Sequence, residues 1–511
     1  MRSPFFLGAC LALAFLALVS AARTRPREFD PASHSRRWIS RDRLAADVER
    51  LASPDLRGRG EVEGGAALAA YWIEQRFHEI GLQTERLPFT FSFRDLAPET
   101  ALKGPGGELS CGPGFAPLSW SGQGVAEGPV VLGPSGFEPS LNFYAGKIAV
   151  VSVGAAPGMY RTLHPPLIER ALALQDAGAT GVLFLSAPED PEAGGEAAWP
   201  AHLSAYAEAG IAKEPVEARA WFRRRSACGS QARAPRPSGW LRIPAAIVFP
   251  AGRQAVFGRP DPVDGLQVRL TVRITETPVH GQNILAILPG AGADDHLVLI
   301  SAHYDSHGIQ PPSRDYPGGR VFPGACDNGS GVAVLLAVAE AFHRAPTPPP
   351  RGILFAAFGG EELGLQGSRV FAATDRRVRE GRITADINVD MTGRGAVEEA
   401  YVVGATHSPR LADFAADGLA RAGLTVKTSI DFSFPHGSDH WPLDQAGVPA
   451  VLVTCSRFAE RDRPEDVPDL VNAEKMFRMA AGVFTAAWRV SALSDRFPPP
   501  MQIWTPFPER K

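Results

Sequence analysis

The chain has 511 residues, too many for one ordinary hydrophobic core, so more than one domain is expected. Its 45% hydrophobic and 21% charged residues form a globular balance that excludes a disordered chain. A formal net charge of −3, with no basic stripe, excludes the positive field that nucleic-acid binding requires.

At the start, Arg2 precedes an apolar run over residues 5–19, and Ser20, Ala21 and Ala22 follow it. A charged start, an apolar segment and small residues at the exit read as a secretory signal peptide over 1–22. The run is short against the roughly 20 residues of a bilayer span. The mature protein is therefore expected to be secreted or periplasmic, with no membrane attachment after cleavage, and an uncleaved anchor is the weaker reading. Cleavage removes Cys10 and leaves Cys111, Cys228, Cys326 and Cys455, too few for a disulfide scaffold. The sequence leaves open whether Cys111 and Cys228 pair.

Residues 23–99 are expected to be a helical N-terminal part of the main domain. The apolar periodicity over 43–82 is that of helices, with Gly81 where a C-terminal cap belongs and a loop over 53–60 between them. Over 100–255 Gly and Pro are dense and short β-like runs dominate, at 147–153, 181–186 and 243–250, with one helix over 168–177 capped by Gly178. This block reads as a β-rich insertion. Its Arg223, Arg224 and Arg225 lie in a weakly periodic stretch and read as a solvated loop.

Residues 256–495 change character. Apolar strands are expected at 283–288, 297–302, 353–358, 387–389, 401–403 and 450–454, and helices at 331–343, 368–378, 409–422 and 473–490. Continuous apolar strands alternating with helices predict an α/β fold, a mixed and mostly parallel sheet with helices on both faces. Ligands of such sheets sit beyond the carboxyl ends of the strands. A proline-rich tail over 496–511 closes the chain.

Metal-capable and acid/base side chains collect at those strand exits. His303 and Asp305 follow the strand at 297–302, and Glu361 and Glu362 follow the one at 353–358. Asp390 follows the strand at 387–389, and Asp327 opens the run Asp327-Asn328-Gly329-Ser330-Gly331 ahead of a helix. Singly, Asp327 suits a turn or cap, and the paired glutamates suit a solvated helix start. Asp390, between Val389 and Met391, resists so plain a reading, because a carboxylate in an apolar strand is costly unless paired or metal-bound. Four exits in order favour one shared site.

The motifs Ala302-His303-Tyr304-Asp305, Gly324-Ala325-Cys326-Asp327-Asn328-Gly329-Ser330-Gly331, Phe358-Gly359-Gly360-Glu361-Glu362-Leu363-Gly364 and Asn388-Val389-Asp390-Met391 resemble the co-catalytic zinc peptidases of family M28. The resemblance covers about 270–490 and extends to the N-terminal helices. The inserted block resembles a protease-associated (PA) domain in Gly146-Lys147-Ile148-Ala149-Val150-Val151 and Ala177-Gly178-Ala179-Thr180-Gly181-Val182.

The resemblance implies an aminopeptidase acting on peptide or protein substrates with two divalent ions. His303 and Asp390 would hold one ion, Asp327 would bridge, Glu362 would bind the second, Glu361 would be the general base, and Asp305 would orient His303. Two ions held by a bridging carboxylate acidify a shared water and polarise the scissile carbonyl. A base beside them must reach that water without occupying the metal.

One segment departs from the pattern. Where the family carries a histidine in Tyr-His-Thr-Pro-Glu-Asp, this chain has Arg461-Asp462-Arg463-Pro464-Glu465-Asp466, so Asp462 stands at the ligand position. Asp327, Glu362, Asp390 and Asp462 would then cancel the charge of two divalent ions, where the usual histidine leaves one positive charge. The expectation is a weaker Lewis acid, with zinc at the His303 site. The second ion, held by oxygen alone, would be manganese, magnesium or calcium. His436 and His440, in a segment expected to line the substrate pocket, are alternative ligands, and Cys326 is expected to point away from Asp327. Other functional readings are a catalytically impaired binding protein, a cyclising relative, and a carboxypeptidase using Arg394.

Overall fold

The computed structural model describes residues 29–501 apart from 112–113, 119–120, 134–142, 154–166, 187–240, 249, 293, 311–319, 429–436 and 457. The signal-peptide reading, Cys10, Cys228, the Arg223–Arg225 cluster, His436 and the end of the tail fall outside the described residues.

The main sheet has eight strands: β1 (Gln83–Leu96), β2 (Ile274–Leu288), β3 (Leu297–His303), β4 (Gly352–Phe358), β5 (Ile383–Val389), β6 (Glu399–Val403), β7 (Thr425–Thr428) and β8 (Ala450–Thr454). They lie in the order β1-β2-β4-β3-β5-β8-β6-β7. The central four, β4, β3, β5 and β8, are parallel, and antiparallel pairs flank them. This is the mixed, mostly parallel α/β sheet that the alternating pattern predicts. Every residue of β3, β4 and β5 is buried, which explains their uninterrupted apolar runs.

Successive strand residues serve two cores, as the two-residue side-chain period requires. Val298, Ile300, Ile353 and Phe355 join the N-terminal helices, the helix Gly331–His343 and the helix Ala473–Ser491 on one face. Leu297, Leu299, Leu354 and Ala356 join Phe371 and Leu443 on the other. The parallel register brings His303 opposite Phe358, Ser301 opposite Asn388 and Val389 opposite Val453. The exits of β3, β4 and β5 thus share one rim.

Two expectations are corrected. The N-terminal part is helical only through the helix Gly65–Ile80, and Gly81 closes it at φ 100°. The chain then enters β1, whose buried Phe89, Phe91 and Phe93 show the alternation of a strand despite Pro88. The helix expected over 368–378 is two, Gln366–Thr374 and Arg376–Arg379. The break falls at Asp375, whose carboxylate accepts the Arg377 N–H and caps the second.

β1 and β2 form a long antiparallel ribbon from Gln83 opposite Ile287 to Leu96 opposite Ile274, and the insertion hangs from its far end. Among the described residues a second sheet of eight strands lies between these ends, its first strand in the chain Ala101–Gly104 and its last Gln267–Val272. Sheet membership therefore carries the inserted unit to residue 272, past the boundary expected at 255. The alternation of Val268, Leu270 and Val272 reads the same in either sheet, and pairing with Ala101–Gly104 and Gly124–Leu132 assigns it.

Candidate metal centre

His303, the last residue of β3, is buried, and its Nε2 lies 3.3 Å from Asp327 Oδ1 and 3.3 Å from Asp390 Oδ1. One imidazole nitrogen carries at most one proton, so it cannot donate to both carboxylates. The three donors match a cation's needs better than each other's. Burial opposes a charged imidazole, yet Glu361 and Asp390 hold the His303 pKa well above its ordinary value. Asp390 itself is lowered despite burial, chiefly by His303. This rim is built to hold positive charge.

Each donor has its own support. Ser438 Oγ donates to Asp390 Oδ2 at 2.8 Å, and Asn388 Nδ2 donates to the same hydroxyl at 2.8 Å. Asn328 ties the Asp327 loop to β5: its Nδ2 donates to the Val389 carbonyl, and its Oδ1 accepts from the Met391 N–H. Asp466 accepts the amide N–H groups of Cys326 and Asp327 at 2.9–3.0 Å. Asp305 lies 3.6 Å from His303 Nδ1 and accepts the N–H of Glu361 at 3.0 Å and of Glu362 at 3.1 Å. It thus holds the backbone of the paired glutamates while lying beside the histidine ring. Burial first, then Glu362, Asp439 and Asp390, raise the Glu361 pKa well above the ordinary carboxylate range, against the pull of His303.

A second grouping lies alongside. His307 Nδ1 is 3.3 Å from Glu362 Oε2, and His307 Nε2 is 2.9 Å from Asp462 Oδ1. One donor atom from each of these three residues falls within 4.8 Å of the others, as holds for His303, Asp327 and Asp390. Sequence reasoning passed over His307. Its signal was the spacing His303-x-x-x-His307 at a single strand exit. The grouping around Asp462 thus contains a nitrogen donor, where oxygen alone was expected. Asp327 Oδ2 faces Arg461 Nε at 3.3 Å, and the same guanidinium lies 3.7 Å from Asp462 Oδ1. Burial works against the charge on Arg461, but Asp327 and Asp462 raise its pKa above the usual value.

The loop over 53–60 is more than a connector. Arg59 is fully buried and donates to the carbonyls of Leu51, Tyr304, Pro323 and Gly324 at 2.7–2.8 Å. Its carbonyl accepts the Ser306 N–H, and the Gly58 carbonyl accepts the Gly308 N–H, which pins the loop carrying His307 from both sides. Among the described residues, the non-glycine positions with left-handed backbone are Arg57, Arg59, Leu365, Met391 and Asp462. All lie in segments framing this rim, where backbone strain characteristically collects.

Other candidates fall away. Cys326 is buried with Met391 and Cys455, apart from both donor groupings. His440 begins the helix His440–Gln445 and joins no donor grouping among the described residues. Arg394 pairs with Glu460 and donates to the Leu470 carbonyl at 2.8 Å, so its guanidinium is already engaged. A third grouping, Asp294, Asp295 and His296, is an exposed turn tied by its own contacts and by Arg351 and Arg382.

Residues 283–487 match the profile of peptidase family M28. A probable zinc metalloprotease of Pyrenophora tritici-repentis is 40% identical over 122 residues, 24% of this chain and 26% of that protein. Leupeptin-inactivating enzyme 1 of Streptomyces exfoliatus is 31% identical over 177 residues, 34% of this chain and 36% of that protein. Aminopeptidase YwaD of Bacillus subtilis (strain 168) is 31% identical over 175 residues, 33% of this chain and 34% of that protein. The matches thus span about a quarter to a third of these relatives' own length. Among solved structures, an aminopeptidase from Aneurinibacillus sp. strain AM-1 superposes with a TM-score of 0.60 at 17% identity, over 93% of this chain and 98% of that one. A zinc aminopeptidase from Bacillus subtilis gives 0.57 at 19% identity, over 88% and 95%. At such identities the likeness is one of fold.

Proposed function

We propose that this chain, whose residues 283–487 match the profile of peptidase family M28, is an exported, metal-dependent aminopeptidase that hydrolyses N-terminal peptide bonds. One observation carries the reading: His303 Nε2 converges with carboxylate oxygens of Asp327 and Asp390 at a buried rim beside Glu361. The relatives named as an aminopeptidase and a zinc metalloprotease support it.

His303, Asp327 and Asp390 would hold one ion, zinc by its mixed nitrogen and carboxylate donors. Glu362 and Asp462 would serve the second, with Asp327 between the two. When bound, such a pair polarises the scissile carbonyl and acidifies water. Glu361 is assigned as the general base: its half-buried carboxyl group has a raised proton affinity, which suits it to accept a proton and pass it to the leaving amine. Asp305 holds the backbone of both glutamates, and Glu362 turns toward His307. The insertion, which resembles a PA domain and hangs from the β1–β2 ribbon, is assigned the role of a wall that selects peptide or protein substrates. Export rests on the N-terminal apolar run.

The test is release of free N-terminal amino acids from short peptides by the zinc-loaded protein, with Glu361→Gln as control. The expected result is a rate lower by on the order of 10²–10⁴ in the variant, with metal content unchanged. Equal rates in both proteins remove Glu361 as the base. Absence of release from any peptide by the loaded wild type removes the aminopeptidase reading.

A further inference from the structure

We propose that the second ion is held by His307, Glu362 and Asp462, so that the imidazole absent from position 462 is supplied instead from position 307. The inference rests on the two-metal reading above and assigns a ligand that the family pattern lacks. Its geometric basis is the convergence of one imidazole and two carboxylates from three separate loops, with one atom of each within 4.8 Å of the others. The two imidazole nitrogens face carboxylates at 2.9 and 3.3 Å.

The position is prepared before any ion arrives. Ser306 N–H and Gly308 N–H are both bonded to the 58–59 backbone, so His307 is fixed on either side. Gly308 has φ 71°, and a Cβ there would lie 2.9 Å from Gly60 Cα, which leaves the loop little room to move away. Phe322 meets the His307 ring edge-on at 5.9 Å between centroids and closes one side of it.

The charge is compensated as well. Relative to the Tyr-His of the family pattern, Arg461-Asp462 adds one positive and one negative charge. The guanidinium sits 3.3 Å from Asp327 and 3.7 Å from Asp462, where it offsets the extra carboxylate. The expected loss of Lewis acidity is thereby cancelled. A nitrogen donor moves the second site's preference from manganese, magnesium or calcium back to zinc.

The experiment measures zinc per chain by mass spectrometry after zinc loading and desalting, with circular dichroism as the check of folding. Wild type is expected to retain about two zinc ions and His307→Ala about one. The double variant His307→Ala with Asp462→His, which returns the imidazole to the family's position, is expected to regain the second. His307→Gln keeps a polar side chain in the loop and must also give about one, which covers failure of the alanine variant to fold. Two ions retained without His307 overturn the assignment. A wild type that holds one ion, unaffected by His307, means that Arg461 fills the second position, and this also overturns it. A wild type that holds none overturns the two-metal reading itself, a result distinct from the others.

Discussion

The two donor groupings share a strand exit yet differ in construction. His303, Asp327 and Asp390 are buried, two of them flank or end strands of the parallel sheet, and hydrogen bonds donated by Ser438 and Asn328 and accepted by Asp466 hold the surrounding groups. His307, Glu362 and Asp462 lie on loops, and the Asp462 side chain is 40% exposed. A site on strand ends inherits rigidity from the sheet, whereas a site on loops needs its own anchors, here Arg59 and the 58–60 backbone. The loop-built grouping is also where this chain departs from the M28 pattern it resembles, as expected of a region that tolerates substitution.

Arg59→Ala should damage both groupings and give the largest effect on stability. It strips four close carbonyl partners in the interior and leaves a cavity, a loss on the order of 3–5 kcal/mol. Urea denaturation would measure it, and a loss below about 1 kcal/mol would show that the loop holds without its guanidinium. Ser438→Ala should separate the two groupings. Without its hydroxyl on Asp390, affinity at the first site should fall about 10–100-fold, with the second site unaffected in competition titrations against a chelator. Asp462→Asn should do the reverse, weakening only the second ion. Its exposure should keep the effect on folding within about 0.5 kcal/mol by thermal melting.

A last effect is one of pH and concerns Asp386, buried in β5, where it accepts from Ser301 Oγ at 2.9 Å. Burial raises its pKa well above the ordinary value, so the carboxyl is favoured neutral in the fold. Because the folded pKa exceeds the unfolded one, its stabilising contribution is complete below about pH 3.9 and is lost as pH rises through the folded value. Asp386→Asn should therefore gain on wild type as pH rises from 5 to 9 in chemical denaturation. A constant difference across that range would mean that Asp386 does not titrate there.

Much of the main sheet is legible in the sequence, because buried parallel strands are written as continuous apolar runs. β8 and the helix Gly331–His343 fall where expected, and β3 and β4 within one residue. β1 was hidden by Pro88 and by the helices before it. β7 was hidden by its polar composition, since an edge strand buries little. His303, Glu361, Glu362 and Asp390 stand out in the sequence because they recur at strand exits, and Asp327 because it precedes the helix Gly331–His343. Arg59 and His307 did not, since a loop residue's partners are set by where other loops come to rest.

Sequence alone thus determined the α/β sheet, its rim and the donors at strand ends, because apolar period and strand exit are local properties of the chain. Which donors meet was decided by tertiary structure. His307, Glu362 and Asp462 are separated by as many as 155 residues and approach only because the 58–60 backbone, the β4 exit and the 461–466 segment converge on one rim. The same holds for the compensating contact of Arg461 with Asp327, since charge balance depends on distances that no linear pattern encodes.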